Sequence, residues 1–378
     1  MHFGILAYTI IWVLAYGIIR ICYKKIKENT IQINGIEICF DDRYKQKLSI
    51  LAAIIISGLF TLFNIYVTMN SSGFSGDRQN YSYNFGGVRE TPSFGLAMII
   101  NMIKQLGGNI QTLFYFTTFV CVFITLIAYR NSKYASPYSF FLLCLTQYFI
   151  TTLTAIKQSY ASALAVVFFV LILEHDTRKS KLLALLCAFI ACLFHPTGYI
   201  LFIIWIVIGM RKTKRRVATY FIFLLILGIF LKQIMPLVAS FVRPISSSLY
   251  SKIMEYFGAN GDLVEESSAL AFLKGIPYYT IAIMGIVKRR IGKNEIEKYD
   301  NYLMVVGTGA FLYLISIYNV WFSRFVYLFS FISFVFLEKL MRLMSKDHRL
   351  FLRIVIQGIL FFVTYRFLFF VCFVHGAF

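Results

Sequence analysis

The chain has 378 residues, 59% of them hydrophobic and 18% aromatic, with a mean hydropathy of +0.73 and 14% charged residues, against about 25% charged in soluble domains. That composition excludes a soluble protein and leaves room for about a dozen apolar spans of about 20 residues each. Lys and Arg number 37 against 17 Asp and Glu, a formal net charge of +20; in a soluble chain this would point to nucleic acid, but here most cations sit in short segments between apolar runs, the positive-inside pattern of cytoplasmic loops, and no nucleic-acid partner is expected.

The basic segments run from Arg20 to Lys47, at Arg130/Lys133, Arg178 to Lys181, Arg211 to Arg216, Lys288 to Lys298 and Lys339 to Arg353. Between them the apolar runs predict about twelve crossings (11–13), at 3–22, 48–69, 110–129, 138–153, 157–173, 182–194, 196–210, 217–235, 272–287, 301–319, 322–338 and 354–373. The expected fold class is therefore all-α, a polytopic integral membrane protein, organised as one domain over 1–378. Residues 3–22 read as a retained span, because no Lys or Arg precedes them and no small-residue cleavage site follows. The seven cysteines lie in spans or on the cytoplasmic side without metal-ligand spacing, so neither a disulfide framework nor a metal site is expected.

Residues 30–38 alternate apolar and polar side chains around Asn34-Gly35, which predicts a short hairpin. Two longer segments, 70–109 and 236–271, fall on the outer side. In the first, Thr91-Pro92-Ser93 starts and Gly107-Gly108 stops a helix over Phe94 to Leu106, too short to span and expected on or in the outer face. The second carries an amphipathic stretch near 246–257 and then a polar run, Gly258 to Ser268, that reads as a solvated loop.

Cations that the orientation rule does not explain are Arg78, Arg89, Lys104, Lys157, Lys232, Arg243, Lys252, Lys274, Arg324 and Arg366. Residues 182–210 leave and return to the same side in about 29 residues, where two full crossings need about 40. Their turn, Leu193-Phe194-His195-Pro196-Thr197, should fall short of the far surface and place His195 in a recess, with Pro196 breaking the helix. Residues 138–173 and 301–338 repeat the pattern with Lys157-Gln158 and Arg324 near their turns. A charge inside a span costs a few kcal/mol, so ionisable groups there face a cavity or a partner. If Lys157, Arg324 and His195 converge, they form an anion site. The plainer readings are snorkelling at the interface for Lys157 and Arg324 and packing before a kink for His195. In the outer loop, Gly76 to Glu90 places aromatic rings among polar side chains, a surface suited to sugars; Asp77 is a candidate base for a sugar hydroxyl, and Arg78 or Arg89 a candidate fork for phosphate.

The order of these elements resembles a known family. Gly76-Asp77-Arg78-Gln79-Asn80-Tyr81 follows the second span, Ile156-Lys157-Gln158 opens a later one, Leu193-Phe194-His195-Pro196 marks a turn and Arg324-Phe325-Val326-Tyr327 opens a late span. Together they look like the EpsG family of bacterial polysaccharide polymerases, of the Wzy type that joins O-antigen or capsule repeats, over roughly residues 70–330. This chain departs from the pattern in having Lys157 where Arg is expected before the Gln, and Arg78 where an aromatic is more usual. The resemblance implies a glycosyltransferase of the bacterial inner membrane, with a GT-C-like arrangement left open, working at the periplasmic face without a cofactor. It implies an undecaprenyl-diphosphate-linked oligosaccharide as donor and acceptor, with membrane lipids and a chain-length regulator as further partners. The implied roles are diphosphate binding for Arg78, Arg89, Lys157, Gln158 and Arg324, sugar binding for Tyr81, and catalysis by Asp77 or His195. The alternatives are a flippase for the lipid-linked oligosaccharide and an O-antigen ligase. A flippase would line a path deep through the bilayer with polar groups, whereas the unexplained charge here gathers near the outer face.

Overall fold

The computed structural model describes residues 3–27, 30–33, 36–39, 42–70, 76–88, 93–146, 148–175, 177–209, 214–244, 250–251, 254, 268–289, 296–316 and 322–373. The described chain is helical apart from one hairpin, β1 (Thr30–Ile33) and β2 (Ile36–Cys39), antiparallel in the register Thr30↔Cys39 and Ile33↔Ile36. That is the predicted pairing; Asn34 and Gly35 themselves lie outside the described residues. The helices are α1 (Phe3–Lys27), α2 (Asp42–Asn70), α3 (Gly76–Gly86), α4 (Phe94–Gln105), α5 (Ile110–Asn131), α6 (Pro137–Cys144), α7 (Thr151–Thr154), α8 (Ile156–Glu174), α9 (Arg178–Phe194), α10 (Tyr199–Gly209), α11 (Lys214–Ile229), α12 (Leu231–Val242), α13 (Ser268–Lys288), α14 (Ile296–Ser316), α15 (Ser323–Met341) and α16 (Lys346–Phe373).

Among the described residues, five segments are long and apolar enough to cross a membrane: Gly4–Cys22, Ser49–Met69, Ile110–Asn131, Ile156–Glu174 and Lys346–Arg366. Phe94–Gln105, Pro196–Gly209 and Val217–Gly228 are apolar but shorter. Helices α13, α14 and α15 overlap the crossings expected at 272–287, 301–319 and 322–338. The crossing expected at 138–153 is not one helix. It ends at Cys144, resumes for one turn at Thr151–Thr154 and restarts at Ile156.

The helices form two compact units, Met1–Ile206 with Ser330–Phe378, and Val207–Phe329. In the first, α1 packs on α2, α2 on α5, α5 on α8 and α8 on α9. Helix α2 shows why: Ala53, Ile56, Phe60, Phe63 and Val67 recur at helical spacing on its buried face, while Leu51, Ile54, Ile55 and Leu62 are exposed on the other, the face left for lipid. Helices α8 and α9 are in contact, and small residues are fully buried on both, Ala184, Ala188 and Ala191 at helical spacing on α9 and Ala161 and Ala165 four apart on α8, a composition that lets backbones approach. In the second unit, α13 and α14 pair as a hairpin closed by a two-pronged ion pair, Arg289 Nε and Nη2 to the two oxygens of buried Asp300 at 2.6 Å each. Gly307 of α14 meets the ring of Phe221 on α11 so closely that an added Cβ would lie 2.2 Å from it.

The α6–α7 break would strand carbonyls in an apolar surround, and hydroxyls take them up. Tyr8 on α1 donates to the Cys144 carbonyl at 2.7 Å and Thr364 on α16 to the Leu145 carbonyl at 2.5 Å. Thr146, Thr151 and Thr152 donate locally to the carbonyls of Leu143, Tyr148 and Phe149 at 2.7 Å each. The Thr364→Val and Tyr8→Phe exchanges each leave one buried carbonyl unsatisfied and are expected to cost about 1–3 kcal/mol, read as a lower unfolding temperature in detergent; unchanged stability in the double variant would show that the break is held by other means.

Candidate functional site

Arg78 of α3 is 3% exposed. Its Nη2 donates to Asn64 Oδ1 at 2.7 Å, and Nη1 and Nη2 both reach Thr68 Oγ1 at 3.1 Å, tying α3 to α2. The guanidinium also lies over the Phe114 ring of α5, 3.9 Å from its centroid, where the ring's negative face favours it. Burial lowers its pKa from 12.5 to about 9, so it keeps its charge at neutral pH. Asn64 is oriented in turn, its amide nitrogen donating to the Phe114 carbonyl at 3.1 Å and to Thr118 Oγ1 at 2.6 Å. Thr118 continues to Thr152 Oγ1 at 3.3 Å. A polar relay therefore runs from Arg78 to α7, one turn before Lys157.

Two neighbouring helices are closed by left-handed glycines. Helix α3 ends at Gly87 with φ 76°, and α4 at Gly107 with φ 74°. In both, the amide after the glycine reaches back to the helix (Val88 N–H to Tyr83 O at 2.9 Å, Gly108 N–H to Ile103 O at 2.8 Å) and the glycine amide bonds the carbonyl one residue later (Asn84 O at 3.2 Å and Lys104 O at 3.0 Å), satisfying the last carbonyls. Helix α4 lies where the glycine signal predicted. Ser93 is its N-cap residue by backbone but makes no side-chain cap. Gly95 lets α4 sit on the end of α9: a Cβ there would lie 3.0 Å from the Phe194 ring and 3.1 Å from the Leu193 carbonyl.

The turn after α9 falls at His195-Pro196, where the proline placed it. His195 is 9% exposed and caps the helical run that starts at Pro196, its Nδ1 accepting from the Thr197 N–H at 3.2 Å with Thr197 Oγ1 at 2.9 Å. Thr197 Oγ1 in turn reaches Gln158 Oε1 at 3.5 Å, at the start of α8. Gly198 permits this fold-back, since a Cβ on it would stand 2.6 Å from the Cys192 backbone nitrogen. The preceding Phe194 stacks on Tyr160 with centroids 4.5 Å apart, and Tyr160 meets Thr117 Oγ1 at 3.3 Å.

The structure thus joins Gln158 and His195 through Thr197, and sets half-buried Lys157 beside Gln158 on the first turn of α8. Arg78 belongs to the same unit but is seated in packing rather than displayed on a loop surface. Tyr81 likewise packs in the apolar cluster with Leu96, Ile100, Phe114, Ile156 and Phe194. Asp77 stands in the first turn of α3; its side chain and the whole of Arg89 lie outside the described residues. Arg324 is the second residue of α15, in the second unit, and is exposed. Sequence reasoning missed Asn64, Thr68, Thr118, Thr152 and Thr197. Asn64, an amide amid an apolar run, was the one available signal, since threonines pass unremarked in such runs.

Arg78→Lys replaces a planar fork by a single ammonium and is expected to loosen α3, costing on the order of 2 kcal/mol in detergent unfolding; Asn64→Leu should act in the same direction, and the two together by less than their sum because they share one network. Gly198→Ala should lower folded yield more than either, its Cβ meeting backbone rather than a movable side chain. An Arg78→Lys protein as stable as the wild type would show that α3 is held by its apolar contacts alone.

No curated protein and no solved structure matches the chain. The family model that describes the EpsG family matches residues 53–376, a stretch that takes in all of these elements, and the chain belongs to the EpsG family.

Proposed function

We propose that this membrane protein is a polysaccharide polymerase of the Wzy type, transferring a growing glycan from undecaprenyl diphosphate onto a lipid-linked repeat unit at the periplasmic face of the bacterial inner membrane. The observation that carries the reading is the meeting of Lys157-Gln158 with the His195 turn at interrupted helices, in a chain of the EpsG family. A hydroxyl of the acceptor sugar attacks the anomeric carbon of the donor and undecaprenyl diphosphate leaves with the bonding pair. The departing diphosphate gathers negative charge, so fixed cations at its oxygens lower the barrier. Lys157, Arg324 and Arg89 are the cations assigned to it, with Gln158 as a neutral donor. Arg78 serves by holding α3, and with it the Asp77 segment, against α2 and α5. Tyr81, seated in the apolar cluster with Leu96, Ile100 and Phe114, steadies α3. Asp77 and His195 are the two candidates for the hydroxyl proton. Exposed apolar side chains on and just after α4, Phe94, Met98 and Leu106, suit the polyprenyl chain or the surrounding lipid.

Lys157→Ala and Arg324→Ala are each expected to reduce polymer length at least a hundredfold in yield of long chains while the protein remains in the membrane. Wild-type ladders from well-expressed forms of both would remove the site assignment. The function itself is tested by the surface glycan of a strain lacking the gene. Single repeats at the surface with the long ladder gone mean polymerase. Repeats trapped on the cytoplasmic leaflet mean flippase, and long chains left on the carrier mean ligase.

A further inference from the structure

The crossing expected at 217–235 does not continue as one straight helix. Helix α11 ends at Ile229 and α12 starts at Leu231, with Phe230 between them out of helical geometry (φ −96°, ψ 8°). Within the same unit α11 runs alongside α14 in the same direction. Tyr220 bonds Thr308, Phe221 meets Gly307, and further on a Cβ added to Gly228 would lie 2.8 Å from the Phe311 ring and 3.9 Å from Ile315. The bend at Phe230 therefore falls level with the last described turn of α14, which ends at Ser316.

Beyond the bend the helix changes character. Gln233 and Ser240 share one side of α12, the register position that Arg243 continues just past its end, while Ile234, Leu237, Val238 and Phe241 take the adjoining side. Leu237 and Phe241 are 61% and 77% exposed, and among the described side chains of α12 Ala239 alone is buried. Residues 231–251 contain two cations, Lys232 and Arg243, and no Asp or Glu. The exposed Arg243 guanidinium lies 5.3 Å from the centre of the Tyr250 ring, a cation beside an aromatic as at a membrane–water boundary. An upright helix of this pattern would hold its exposed Gln233 and Ser240 against hydrocarbon. Lying along the boundary, it turns them to water and Leu237 and Phe241 to lipid. The lengths agree: the 16 residues of α11 rise about 24 Å. That is about 6 Å short of a hydrocarbon core of about 30 Å, and an in-plane helix buries its apolar face about 5–10 Å below the headgroups.

We propose that α12 lies in the plane of the membrane surface opposite the Arg211–Arg216 cluster, docked on phospholipid. Its apolar side sits among the acyl chains, and Arg243 at its end binds headgroup phosphate. This role is independent of the polymerase reaction.

Depth is read by spin-label power saturation, using the full-length protein in phosphatidylglycerol-containing vesicles. A genetically encoded nitroxide is placed in turn at 233, 234, 237, 240 and 241, each an exposed or half-buried position. The expected result is one shared depth for 234, 237 and 241, with 233 and 240 open to a water-soluble relaxation agent. An upright helix gives about 10 Å between 234 and 241, and a gradient of that size overturns the proposal. Labels at 237 and 241 shielded from both oxygen and the water-soluble agent mean that protein covers this face, which overturns the lipid assignment. Arg243→Gln should loosen the line shape at 241 in these vesicles, as should phosphate-free galactolipid vesicles for the unmodified arginine. A line shape unchanged in both overturns the phosphate contact.

Discussion

A backbone amide or carbonyl that loses its helical partner in an apolar surround has to find another within the protein, because no water is there to supply one. The interrupted helices of this chain obey that constraint by recruiting side chains distant in sequence. The Cys144 and Leu145 carbonyls are met by Tyr8 and Thr364, from the first and last helices. The amide after Pro196 is met by the ring of His195. The residues with chemistry to offer stand at these same places. Lys157 and Gln158 follow one break, and His195 is itself the partner at another. An open, polar opportunity exists in such a bundle only where a helix stops, and each stop is stable only because something caps it.

The parts legible in the sequence were those marked by residues with a single dominant physical effect. Pro196 announced the turn, Gly107-Gly108 announced the end of α4, and alternation around Asn34-Gly35 announced the hairpin strands. The interruption between Cys144 and Thr151 was not legible, since it contains neither glycine nor proline and its threonines score as neutral in a hydropathy reading. Their hydroxyls bond carbonyls three residues back, so a broken helix and a continuous one share the same composition there. The seat of Arg78 was hidden for a related reason. A charged residue in a loop sequence reads as exposed, and nothing local shows that Asn64, Thr68 and Phe114 wait for it on other helices.

Two kinds of cation follow from this arrangement. Arg78 is engaged by protein partners, its charge set against an amide, a hydroxyl and an aromatic face. Its contribution to any anion would be long-range, and its main effect is to fix where α3 lies. Lys157, on the first turn of a 19-residue helix, adds its charge to the positive end of the helix dipole, the combination that favours phosphate oxygens. Position along the chain did not distinguish the two. Their surroundings do.

The joint between α4 and α5 is closed from both sides. The glycines at 107 and 108 return their amides to α4, and Asn109 and Thr112 cap α5 reciprocally. With no slack between the caps, the two helices behave as a bent strut. The short arm rests through Gly95 on the Phe194 ring. The long arm, 22 residues or about 33 Å, ends where Ser132 and the Lys133 amide bond Glu174 at the far end of α8. The His195 turn therefore adjoins the Gly95 end of the short arm, at the tip away from the joint, and is held to the bundle through it rather than standing on a surface that can drift independently.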